Sequence, residues 1–296
     1  MTSQSVKARP RRSMLYMPGD KMKVLEKAKG LPADTVMFDL EDAVSPDNKL
    51  RARELACQAA ISGGYGSREV IIRINGLDTA WGADDLKAAV QAEPDGILVP
   101  KVEMAADIQA LDTALTAAGA PLDLMLWVMI EMPRAILNIQ EIAAMADTTR
   151  LAGFVMGTND LAKEYRAVWT PDRAAFQVAL QLSVAAARSF GLVAIDGVYN
   201  DIQNIEGLAA ECNAGRVLGF DGKTLIHPAQ LETANTAFSP ASEDIMQAEA
   251  VIAAFSLPEN AGKGVIKVNG KMTELLHLEE AERTVAIADA ISKMTL

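Results

Sequence analysis

Short apolar runs alternate with longer helical patterns along most of this chain. The runs are SMLYM (13–17), TVMFDL (35–40), VIIRI (70–74), GILVP (96–100), LMLWVMI (124–130), LAGFVM (151–156), LVAIDGV (192–198) and a weaker GKTLI (222–226). Each is continuously hydrophobic rather than alternating, the mark of strands covered on both faces, as in a parallel sheet. Helical spacing fills the intervals at 22–29, 47–61, 83–92, 105–118, 136–145 and 171–190, and Gly or Pro marks most junctions. Eight strands with intervening helices predict a closed (β/α)8 TIM barrel, with a doubly wound open sheet as the competitor. After about Ala237 the alternation stops. A helix with Ser239 as N-cap is expected next, then a hairpin at Asn269–Gly270 and a last amphipathic helix over 276–293. The expected organisation is therefore a catalytic barrel at 1–237 and a helix-hairpin-helix extension at 238–296. That extension, too small for a core of its own, must pack on its own barrel or a neighbour's.

The residues just after each run carry the chemistry, because active sites of such barrels lie at the C-terminal ends of the strands. Strand 1 leads to Asp20 and Lys21, strand 2 carries Asp39 and runs to Glu41 and Asp42, and strand 3 carries Arg73 and Asn75. Strand 4 ends at Lys101, strand 5 at Glu131, strand 6 at Asp160 and strand 7 at Asp196. Charged side chains are rarely buried unless paired. Their convergence admits two explanations: a salt-bridge network closing the barrel, or a metal site with anion-binding residues around it. Glu131 and Asp160 end adjacent strands. Two such charges at about 4 Å repel by roughly 4 kcal/mol at an effective dielectric near 20, and a shared divalent cation turns that repulsion into a site. Oxygen-only donors favour Mg²⁺ over Zn²⁺.

Composition narrows the chemistry. Half of the 296 residues are apolar, so a large core is available, and the formal charge of −11 argues against a nucleic-acid surface. No apolar run approaches the roughly 20 residues of a membrane span, so a cytoplasmic protein without membrane partners is expected. The basic start MTSQSVKARPRRS reads as a short exposed arm. Cys57 and Cys212 are too few for a disulfide framework and read as core or surface thiols. His227 and His277 form no metal-ligand spacing, and no Gly-x-Ser-x-Gly elbow is present, which leaves hydrolase triads without support. His227 reads as a structural hydrogen-bonder.

The segments RSMLYMPGDK, DTVMFDLEDAV, VIIRINGLDTAWGADDL, LVPKVE, MIEMPRAILNIQEIA, GFVMGTNDL, DGVYND and GFDGKTLIHPAQ resemble, in order and over nearly the whole chain, the citrate lyase β-subunit and malyl-CoA lyase family of the HpcH/HpaI aldolase superfamily. The resemblance implies a barrel with a C-terminal extension, assembled as a homotrimer or homohexamer. It implies Mg²⁺, with Mn²⁺ as substitute, on Glu131 and Asp160. Arg73 would bind thioester or keto-acid oxygens, Glu41 and Asp42 join it as catalytic candidates, and Tyr16, Lys21 and Lys27 fall where relatives contact coenzyme A. The implied partners are a CoA thioester and a small keto acid.

The leading expectation is a Mg²⁺-dependent carbon–carbon lyase that cleaves or forms a small β-hydroxyacyl-CoA such as malyl-CoA, β-methylmalyl-CoA or citramalyl-CoA. Lyases of the family place an Asp in a C-terminal GKMVD-like segment, whereas this chain reads GKMTE and puts Glu274 there. One methylene displaces a carboxylate by about 1 Å, a misplacement that can lower a rate on the order of 100-fold. A carboxylate set further out can instead orient water toward the thioester. Hydrolysis by a malyl-CoA thioesterase is thus the alternative. A class II keto-acid aldolase and a non-autonomous citrate lyase β subunit are the remaining readings.

Overall fold

The structure, a computed structural model, describes residues 9–294. Of the arm expected at the start, residues 1–8 lie outside the described residues. Arg11 and Arg12 do not belong to an exposed arm. Arg11 is buried on Glu69, with N–O distances of 2.8 and 2.6 Å, and Arg12 pairs with Asp34 at 2.8 Å. The chain folds as two compact units, one of residues Arg11–Phe238 and one built from Ser239 onward.

The first unit is the predicted closed barrel, with eight parallel strands in sequential order. They are β1 (Ser13–Pro18), β2 (Thr35–Asp39), β3 (Glu69–Arg73), β4 (Gly96–Val99), β5 (Met125–Ile130), β6 (Leu151–Met156), β7 (Val193–Asp196) and β8 (Gly222–Leu225). The helices are α1 (Met22–Ala28), α2 (Lys49–Ser62), α3 (Gly82–Gln91), α4 (Ala105–Ala117), α5 (Pro133–Leu137), α6 (Ile139–Ala144), α7 (Thr158–Tyr165), α8 (Gln177–Ser189), α9 (Ile205–Leu218) and α10 (Leu231–Ala237). Side chains of a strand alternate between faces. Leu15, Val36, Phe38, Ile72, Val128 and Phe154 accordingly join the apolar layer under the helices. Residues of opposite parity fill the lumen: Thr35 and Glu69 low, Met37 and Ile71 in the middle, Asp39 and Arg73 on top. Trp127 plugs the interior, with Arg11 5.2 Å above its ring centre, and a Cβ at Gly153 would collide with the indole.

Three boundaries differ from expectation. The helix expected over 136–145 is broken at Asn138, whose side chain donates to the Glu103 carbonyl at 3.0 Å. The helix expected from Pro171 starts at Gln177, after Arg173 has taken a left-handed turn (φ 53°). Helix α7 begins directly at Thr158, in a stretch for which the spacing predicts no helix.

In the second unit, α11 (Ser242–Phe255) starts after Ala241, so Ser239 is not its N-cap. Strands β9 (Val265–Val268) and β10 (Lys271–Glu274) form the expected antiparallel hairpin. Asn269 (φ 49°) and Gly270 (φ 83°) supply the two positive φ angles of a two-residue turn. Helix α12 (Leu275–Met294) completes a small core of Ala248, Val251, Ile266, Val268 and Ala281.

Candidate active site

Asp39 and Arg73 are register partners on β2 and β3 and face the lumen together. Arg73 grips Asp39 with both arms of its guanidinium, Nε–Oδ1 at 2.6 Å and Nη2–Oδ2 at 2.5 Å. Its Nη1 lies 2.8 Å from Glu41 Oε2 and 3.6 Å from Asp42 Oδ2, and its carbon centre sits 4.7 Å above the Tyr16 ring. This planar clamp needs an arginine. Although burial opposes charge, Asp39 and Glu41 hold Arg73 well above its ordinary value, and Arg73 holds Asp39 below its own. Burial pushes the Tyr16 phenol upward, with the Arg73 charge opposing.

Lys101 stands next to this group. Its Nζ donates to Glu41 Oε1 at 2.8 Å and its backbone N–H to Glu131 Oε1 at 2.7 Å. Burial works against the Lys101 ammonium, but the hydrogen bond and charge of Glu41 raise its pKa. The Lys101 backbone is left-handed (φ 56°), a conformation that costs a residue with a Cβ about 1 kcal/mol or more.

Glu131 is 1 % exposed. Burial first, and the Asp160 carboxylate next, push its pKa up to about 8. Its side chain fits only because residue 157 is glycine, since a Cβ there would overlap both Cβ and Oε2 of Glu131. Asp160, in the first turn of α7, is half-buried. Asp39, Glu41, Glu131 and Asp160 thus share one mouth with the cations Arg73 and Lys101. That excess of negative charge, with a buried carboxylate driven toward protonation, suits a divalent cation. Among the described residues no cluster of three or more His, Cys, Asp or Glu side chains forms a ligand set. A pair of carboxylates with water and substrate completing the shell is the usual manner of Mg²⁺.

A cavity of about 320 Å³ opens beside the cluster, lined by Glu41, Asp42, Lys49, Asn75, Trp81 and Lys101 among others. Lys49 Nζ donates to the carbonyls of Leu40 and Glu41, and burial lowers its pKa. Lys21 and Lys27 lie exposed at the start and in the last turn of α1. Glu274 belongs to the second unit, exposed at the end of β10, and its N–H donates to His277 Nδ1 at 3.0 Å.

Two expected rim residues play other parts. Asp196 faces outward into the helical layer, where it accepts two hydrogen bonds from Arg173 Nη1 at 2.7 and 2.8 Å. Lys223 lies 3.5 Å from it and donates to Glu211 at 2.6 Å and to the Gly197 carbonyl. Asn75 is absorbed by the Leu40 carbonyl and Asp85. Lys101 counted only as a strand-4 terminus in the sequence; its two-sided grip has no local sequence signal. Burial pushes both cysteines up to about 11, so neither is a thiolate near neutrality. His227 accepts from the Ala229 N–H at 3.2 Å and caps a single turn.

Comparison with known proteins places this mouth in context. The chain is 52 % identical over 285 residues to the (3S)-malyl-CoA thioesterase of Cereibacter sphaeroides, covering 96 % of this chain and 97 % of that one. It is 37 % identical over 287 residues to the citrate lyase subunit beta of Leuconostoc mesenteroides subsp. cremoris, covering 95 % and 94 %. The CitE protein of Mycobacterium tuberculosis, solved in complex with magnesium, acetoacetate and coenzyme A, superposes with a TM-score of 0.75 at 27 % identity, covering 96 % and 99 %. The HpcH/HpaI aldolase/citrate lyase family profile matches residues 12–228, and with this barrel and these relatives the chain belongs to that family.

Proposed function

We propose that this protein is a Mg²⁺-dependent thioesterase that hydrolyses a small β-hydroxyacyl-CoA of the malyl-CoA type. The observation that carries the reading is 52 % identity along nearly the whole chain to (3S)-malyl-CoA thioesterases, against 37 % to a citrate lyase β subunit. It reverses the order of the two readings expected from the sequence. Magnesium in the CitE complex and the acid-rich mouth of this barrel support the cofactor.

Glu131 and Asp160 would hold the metal, which supplies Lewis-acid polarisation of substrate oxygens. Arg73, immobilised by Asp39 and seated on Tyr16, presents a permanent positive charge where the thioester oxygen becomes negative. Glu41, held between Arg73 and Lys101, fixes the spacing of those two cations. Asp42, 65 % exposed at the cavity edge, accepts a proton from incoming water. Glu274 would orient that water, delivered to a neighbouring copy's site in a homo-oligomer. Water adds to the thioester carbon, the carbon–sulfur bond breaks, and the thiolate takes the proton to give free coenzyme A and the hydroxy acid. Tyr16, Lys21 and Lys27 are the proposed coenzyme A contacts.

Carbon–carbon cleavage is the second reading, favoured by the keto acid acetoacetate bound with magnesium and coenzyme A in CitE. In that reaction the substrate hydroxyl loses its proton, the bond to the α-carbon breaks, and the acyl-CoA enolate is protonated. Mass spectrometry of (3S)-malyl-CoA incubated with the Mg²⁺-loaded protein separates the two. Free coenzyme A with malate is the expected result. Glyoxylate with acetyl-CoA installs the lyase instead, and unchanged substrate removes both readings. Glu274→Asp should raise the share of glyoxylate if that residue directs the outcome.

A further inference from the structure

We infer that Lys101 is a positioning residue for the metal site, acting through its strained backbone rather than through its ammonium group. The inference rests on the reading of Glu131 as a magnesium ligand and adds to it what aims that ligand. β4 ends at Val99, and two residues later the chain turns left-handed at Lys101 (φ 56°). That turn points one peptide N–H at Glu131 Oε1, at 2.7 Å. The opposite side of the carboxylate is given its space by Gly157, where any Cβ would overlap Oε2. Glu131 is therefore held by one oxygen and given room at the other, in a setting with few alternatives at 1 % exposure. The same turn sends the Lys101 side chain the other way, to Glu41 Oε1 at 2.8 Å, and Glu41 lies 2.8 Å from Arg73. One residue thus links the cation-binding carboxylate to the oxyanion-binding arginine, by backbone on one side and by ammonium on the other.

The two halves respond to different substitutions. Lys101→Gly keeps the N–H and relaxes the left-handed turn while deleting the ammonium. Lys101→Met deletes the ammonium and leaves backbone preference little changed. Lys101→Val deletes the ammonium and, being β-branched, resists positive φ. Mn²⁺ titration followed by electron paramagnetic resonance reads the metal site without turnover. The Gly and Met variants should bind Mn²⁺ within about threefold of the native chain, while Val weakens it by about tenfold or more, the usual effect of losing a group that orients a metal ligand. All three should lower kcat/KM through the lost grip on Glu41. Loss of Mn²⁺ affinity in the Gly variant to the level of Val overturns the inference, as does native affinity in a folded Val variant. If the Val variant does not fold, Lys101→Thr, also β-branched, takes its place, with the same expected weakening and with native Mn²⁺ affinity again overturning the inference. Native protein that binds no Mn²⁺ removes the reading of Glu131 and this inference together, whereas native binding untouched by all three variants removes the inference alone.

Discussion

Two buried clusters of charge occupy this barrel, and they differ in balance. In the wall, between β7, β8 and the helices, Arg173 and Lys223 meet Asp196 and Glu211, two cations against two carboxylates. At the mouth, Arg73 and Lys101 meet Asp39, Glu41, Glu131 and Asp160. The wall cluster is balanced in charge. The mouth cluster has two carboxylates beyond its cations, and the imbalance falls on Glu131, whose pKa burial and then Asp160 push up to about 8. Burial with full pairing is architecture; burial with surplus charge of one sign is a site prepared for a ligand of the opposite sign.

The largest effect that tests this contrast is on catalysis. Glu131→Gln should lower kcat by about 10³-fold or more, as the loss of a principal charge-stabilising element does, while leaving the fold at least as stable. Thioesterase assays beside thermal melts of the metal-free variant read both halves. Asp196→Ala should do the reverse at the wall. Two cations would face one carboxylate in a buried space, a loss of about 3–5 kcal/mol in urea unfolding. A wall variant as stable as the native chain breaks the comparison.

Acidity gives a third effect. Glu131 titrates near 8 in the folded metal-free chain against an ordinary 4.5, so the folded state binds its proton more tightly. Stability from that proton is full below about pH 4.5 and is lost as the pH rises toward 8, on the order of 5 kcal/mol across the window. Urea unfolding of chelator-treated protein should show this decline, and saturating Mg²⁺ or Glu131→Gln should flatten it. Gly157→Ala is the mildest test. Its methyl group collides with Cβ and Oε2 of Glu131, so it should weaken Mn²⁺ binding about tenfold, measured by calorimetry, and lower stability by about 1–3 kcal/mol in urea unfolding.

The barrel was legible because strands covered on both faces must be continuously apolar, and eight such runs leave few other architectures. Glu131 and Asp160 were legible as a pair because sequential strands of a barrel are neighbours. The clamp of Arg73 on Asp39 was not, because it depends on which of two strand faces each residue occupies, and a doubly buried strand conceals its parity. The same concealment makes Asp196 look like a mouth residue in the sequence when it stands one residue out of phase, in the wall. Arg11 and Arg12 read as arm because their partners, Glu69 and Asp34, are distant in sequence. The left-handed turn at Lys101 left no trace at all, since lysine has no preference for it.

The indole of Trp127, capped by Arg11 and pressed against Gly153, stoppers the lumen below the reactive residues. Traffic through such a vessel is one-way in and the same way out. Whatever reaches Arg73 departs by the opening it entered, so under the proposed hydrolysis a spent acid lingering there would exclude the next thioester. Inhibition by the released hydroxy acid should accordingly be of the competitive kind.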